Sequence, residues 1–138
     1  MFSIGELSKQ TQVKVPTIRY YEEIGILAPA ERTEGNQRRY DAAGLERLSF
    51  IKHARDLGFS IEAITALIVL QEHPDRSCSE ATEMAAAQLS DVREKIKKLK
   101  SLEKELARIS TGCDGKGVSA DCYVLRSLSD HNLCNQEH

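Results

Sequence analysis

The chain has 138 residues, enough for one ordinary domain or two small lobes. Its apolar content of 41% is that of a folded soluble protein, while 5% aromatic residues and no Trp exclude a large aromatic-rich core. A net charge of -2 exposes no globally basic surface, so nucleic-acid binding has to rest on a local patch.

The N-terminus, Met1-Phe2-Ser3-Ile4-Gly5-Glu6, has neither a basic n-region nor an apolar h-region. No apolar run approaches the roughly 18 residues that cross a bilayer. The expectation is a cytoplasmic protein with no membrane partner. Ser3 and Glu6 form a capping box that opens a short helix to about Lys9. Thr11 to Lys14 reads as a turn, and Pro16 suits the first turn of a second helix that stops near Gly25. Two short helices joined by a tight turn make a helix-turn-helix pattern. On the second helix Tyr20 and Tyr21 cannot face the same way, and Tyr21 is expected to be the buried one.

Pro29 to Tyr40 is polar and Arg-rich and reads as a hairpin turning at Glu34-Gly35-Asn36. Asp41 caps a third helix through Leu57, with Leu45, Leu48, Ile51 and Ala54 at helical spacing. Gly58 ends it, and Ser60 caps a fourth helix carrying Ile61, Ile64, Leu67 and Ile68. His73-Pro74-Asp75 breaks the chain. From Lys9 to Arg55 nine basic residues face six acidic ones, a mild local excess.

Glu80 to Ile109 contains no Pro and no Gly, and such a helix spans about 45 Å. Ala85, Leu89, Val92, Ile96, Leu99, Leu102, Leu106 and Ile109 lie close to a heptad seam. The other faces are charged. The stripe can pack on its own domain, but so short a chain cannot cover the whole rod, which favours a dimer. Ser110 to Cys122 is a Gly-rich loop, Tyr123 to Leu128 a last short helix, and Ser129 to His138 a loose tail.

Four cysteines in a cytosolic chain point to metal or redox chemistry rather than structural disulfides. Cys78 and Cys113 flank opposite ends of the long helix, too far apart to share a ligand within one chain. Two antiparallel rods bring Cys78 of one chain beside Cys113 and Cys122 of the other. The alternative is a redox pair of Cys113 and Cys122 that works without Cys78. In the tail, His131, Cys134 and His138 have ligand spacing and are possible accessory metal ligands. No Ser/His/Asp set, phosphate-binding Gly loop or acid–base pair marks an enzyme.

Ile18-Arg19-Tyr20-Tyr21-Glu22, Gly25-Ile26-Leu27, Arg32 to Tyr40, Arg47 to Lys52 and Leu57-Gly58-Phe59-Ser60, in that order, resemble MerR-type transcriptional regulators. The resemblance runs from Phe2 to about Leu128. It implies a mainly α fold: a winged helix-turn-helix lobe over 1–75, a long antiparallel coiled-coil dimerisation helix over 76–110, and a C-terminal metal-binding loop, short helix and tail over 111–138. It implies a homodimer on a pseudo-palindromic double-stranded promoter operator, working with RNA polymerase, that activates by bending and undertwisting DNA. Thr17, Arg19 and Tyr20 would project into the major groove, with Arg32, Arg38 and Tyr40 on the wing. A Cys at position 78 resembles the branch that senses divalent ions. The implied effector is a soft divalent ion, Hg, Pb, Cd or Zn, held by Cys78, Cys113 and Cys122, and the implied targets are efflux or detoxification genes. Zinc sensors usually double the first loop Cys and add a His; here Asp114 follows Cys113, a departure. The alternatives are a thiol-redox regulator on the same scaffold and, further off, a metal carrier.

Overall fold

The computed structural model describes residues 1–112 and 117–129. The chain divides into two compact units, the first Met1–Ala85 and the second beginning at Ala86.

The first unit opens with a two-residue strand, β1 (Phe2–Ser3), that runs straight into helix α1 (Ile4–Thr11). The capping box forms: the Glu6 N–H donates to Ser3 Oγ at 3.1 Å, and Ser3 N–H donates back to Glu6 Oε1 at 3.5 Å. Two orphan amides of the first turn are thereby satisfied. The helix reaches Thr11 rather than Lys9, because Thr11 Oγ1 donates to Leu7 O at 2.8 Å and accepts from Val13 N at 3.3 Å. Gln12 then takes a left-handed φ of 61° and the chain turns.

Helix α2 (Val15–Glu23) starts with Pro16 in its first turn and ends at Gly25, whose φ of 84° suits glycine. Strands β2 (Glu31–Arg32) and β3 (Arg38–Tyr40) form the hairpin, with Asn36 left-handed at its tip. The sheet is antiparallel in the order β1-β3-β2. Phe2 pairs with Tyr40 and Ser3 with Arg39, so the N-terminus adds a third strand to the hairpin. Helix α3 (Ala42–Asp56) is capped by Asp41, which accepts from Gly44 N at 2.9 Å. Helix α4 (Ile61–Gln71) is capped by Ser60, which accepts from Ala63 N at 3.1 Å.

These elements enclose one core. Leu7, Ile18, Tyr40, Leu48, Ile51 and Ile64 are fully buried, with Tyr21 and Ile68 nearly so. Each such aliphatic side chain stabilises the fold by about 1.5–3 kcal/mol on burial. Arg47 ties three elements from the surface, donating to Ile26 O at 3.2 Å and pairing with Glu72 at 3.0 Å.

Helix α5 (Ser79–Thr111) is continuous over 33 residues, a length of about 50 Å. In the second unit it is followed by a 3-10 turn (Ser119–Asp121) and helix α6 (Tyr123–Ser129). Leu89, Ile96, Leu99 and Leu106 of the seam stand exposed, whereas Ile109 is buried. The whole described chain is mainly helical, as expected.

Candidate functional site

The first candidate surface is built by α2 and the hairpin. Burial of Ile18 and Tyr21 fixes the rotation of α2, and that rotation turns Arg19 and Tyr20 to solvent with Thr17 half-buried. Tyr21 is the buried member of the tyrosine pair, as its position on the helix requires.

Arg32 on β2 and Arg38 on β3 stand beside α2 and share a hollow with Arg19, Glu22 and Glu23. Glu22 is its hub. Arg38 Nε donates to Glu22 Oε2 at 2.6 Å, and Arg32 Nη2 lies 3.9 Å from the same oxygen. The Tyr40 hydroxyl donates to Glu22 Oε1.

Tyr40 departs from the sequence-based expectation of a wing contact. It is fully buried, its ring in the core and its hydroxyl committed to Glu22. A polar aromatic at the end of a strand buries its ring where the opposite pleat face meets the core, and its hydroxyl then needs an internal partner. Glu22 itself was missed, since a glutamate on a short helix ordinarily signals a solvated face. The one available signal was the Tyr40 phenol, a buried donor that must be satisfied somewhere.

The second candidate surface is the set of thiols. Cys78 is exposed and immediately precedes α5, where its carbonyl accepts from Thr82 N at 2.9 Å and Thr82 Oγ1 at 3.0 Å. It lines a largely apolar hollow with Phe50, Leu67, Leu70 and His73. His73 Nδ1 meets Val69 O at 2.7 Å; a carbonyl only accepts, so Nδ1 carries the proton.

Cys122 is half-buried between the 3-10 turn and α6. Its carbonyl accepts from Arg126 N at 3.0 Å. Next to it, Tyr123 is clamped onto α5. Arg108 donates to the Tyr123 hydroxyl, stacks 5.6 Å from its ring centroid and pairs with Glu105. The hydrogen bonds that Arg108 donates to the Glu105 carboxylate raise its pKa, so the guanidinium stays charged at any working pH. The ring also covers Gly112, where any Cβ would collide with it.

Cys113, His131, Cys134 and His138 lie outside the described residues. Among the described residues no three His, Cys, Asp or Glu side chains cluster as a metal site.

A helix-turn-helix, an antiparallel wing and a long helix with thiols at its borders have matches among known proteins. The family described as MerR HTH family regulatory protein matches residues 2–69, and that described as MerR, DNA binding, matches residues 45–109. The chain is 38% identical over 130 residues to the HTH-type transcriptional regulator ZntR of Escherichia coli K12, covering 93% of this chain and 92% of that protein.

The chain belongs to the MerR family.

Members of this family are DNA-binding transcription regulators, and this chain is accordingly no enzyme. A mercuric resistance operon regulatory protein of Pseudomonas fluorescens is 35% identical over 126 residues, with 91% of this chain and 86% of that protein covered. Among solved structures, the regulator PbrR691 of Ralstonia metallidurans CH34 in complex with lead(II) superposes with a TM-score of 0.78. It is 38% identical, with 93% of this chain and 99% of that one covered. Two of these relatives of the MerR-family chain are thus described by a heavy metal, one by mercury and one by lead(II). No helix among its described residues is long and apolar enough to cross a membrane.

Proposed function

We propose that this regulator is a promoter-distorting activator whose homodimer senses a thiophilic divalent ion, Hg, Pb, Cd or Zn, through Cys78 of one protomer and Cys113 and Cys122 of the other. The observation that carries the reading is the long helix with an exposed apolar stripe and an exposed thiol directly before its first turn. An uncovered stripe on a charged helix calls for a second helix. Antiparallel pairing superposes opposite helix ends, which is where the cysteines stand in the sequence.

The donors fit such an ion. Cys78 is open to solvent and Cys122 partly so, and thiolates select soft or borderline cations. When bound, the ion supplies a cross-link between protomers. It shifts the regulator only in so far as it binds the activating conformation more tightly than the resting one. Relatives named for mercuric resistance, and one solved with lead(II), support this class of effector. The controlled genes are then those of metal efflux or detoxification, transcribed by RNA polymerase from an operator held by Arg19, Arg32, Arg38, Thr17 and Tyr20.

Mixed dimers test the shared site. Cys78→Ser and the double variant Cys113→Ser, Cys122→Ser are each expected to lose induction in a promoter-reporter panel of Hg, Pb, Cd, Zn and Cu. Co-expressed, they form heterodimers with one intact cross-subunit site and recover part of the response. Absence of recovery, with heterodimers present, refutes sharing. A Cys78→Ser protein that still responds to oxidants through a Cys113–Cys122 disulfide replaces metal by redox sensing.

A further inference from the structure

The carboxylate of Glu22 joins two parts of the reading surface that the sequence keeps apart. It sits on α2, yet both its oxygens are engaged from the hairpin. Oε1 accepts from the buried Tyr40 hydroxyl, and Oε2 accepts from Arg38 Nε at 2.6 Å with Arg32 Nη2 at 3.9 Å. The glutamate side chain is 8% exposed, that of Arg38 26% and that of Arg32 42%. The negative charge therefore lies beneath and the guanidinium heads lie above it.

Geometry adds direction. A guanidinium has five donors in a rigid fork. Because Arg38 spends Nε on Glu22, the fork is held by its stem side, and its two Nη groups remain for an outside acceptor. Arg19 lines the same hollow and has no ion-pair partner among the described residues.

We propose that Glu22 is a positioning residue for operator recognition: it locks the wing arginines Arg38 and Arg32 in register with Arg19, so that helix and wing meet DNA as one rigid body. The inference rests on the reading of these arginines as DNA-facing.

Simple charge arithmetic points the opposite way, which makes the idea testable. Three arginines and two glutamates line the hollow, a net of one positive charge. Removing the Glu22 charge raises that to two, and Coulomb attraction alone would tighten binding to any duplex. Positioning instead makes the operator suffer while random DNA does not. Ordered contacts discriminate between sequences; unordered charge does not.

The test uses the full-length dimer, an operator duplex selected by the wild-type protein from a random pool, and a scrambled duplex of equal length. Affinities are measured across a salt series. For Glu22→Gln we expect affinity for scrambled DNA to hold or rise, and operator affinity to fall, so that the specificity ratio drops about tenfold, the loss of one well-ordered contact. The operator salt slope should fall by about one. Arg38→Lys keeps the charge without the fork and should reproduce the loss of ratio. If Glu22→Gln tightens both duplexes equally, or Arg38→Lys matches wild type, positioning is overturned. If Glu22→Gln weakens both in parallel with a loss of folded protein, Glu22 is merely structural and the proposal also falls. The underlying reading fails separately, if Arg19→Ala, Arg32→Ala and Arg38→Ala all bind the operator like wild type.

Discussion

The exposed stripe on α5 makes a quantitative demand. Leu99 and Leu106, one heptad apart, are each 63% exposed in the isolated chain. Fully burying a leucine stabilises by about 1.5–3 kcal/mol, so covering the exposed part of each contributes about 1–2 kcal/mol. Two protomers present four such side chains, a total of about 4–8 kcal/mol. Replacing both leucines by Gln keeps helix propensity close to its original value. The double variant Leu99→Gln, Leu106→Gln should therefore weaken dimerisation by about a thousandfold or more, at 1.4 kcal/mol per factor of ten. Sedimentation equilibrium over a concentration series reads this directly. Far-UV circular dichroism at high protein concentration checks that the helix persists. A double variant that dimerises within threefold of wild type refutes the assignment of this face as the protomer seam.

Removing the phenol oxygen of Tyr40 leaves a buried carboxylate oxygen without its donor; Tyr40→Phe should cost about 1–3 kcal/mol in denaturant unfolding of the first unit. An unchanged midpoint would mean that water satisfies Glu22 as well. Ser3→Ala deletes the capping box, with an expected loss of about 1 kcal/mol, read by thermal melting. Gly112→Ala places a methyl group inside the Tyr123 ring. It should displace the ring from Arg108 and raise amide exchange across α6, and unchanged exchange there would contradict the packing.

What the sequence made legible was local. Ser3, Asp41 and Ser60 each stand one residue before a helix and cap it in the structure. The apolar spacing of Leu48, Ile51 and Ala54 named the buried face of α3. The MerR-like motifs, taken in order, named the family. What stayed hidden was non-local. A two-residue strand has no periodicity, so the pairing of Phe2 with Tyr40 leaves no trace in either segment. The role of Glu22 depends on partners 16 and 18 residues away, and Tyr40 looked like one more polar residue of an Arg-rich wing. The extension of α1 to Thr11 rests on a side-chain hydroxyl rather than on the helix pattern.

That hydroxyl narrows the alphabet available at the elbow between the two helices. Thr11 gives its proton to Leu7 and receives one from Val13 in nearly complete seclusion from solvent. Valine would copy its outline and orphan an amide; serine would copy its chemistry and leave a methyl-sized hole. Neither neighbour in chemical space reproduces both, so diversification of this regulator toward new operators has freer ground on the exposed side of α2 than at the bend that aims it.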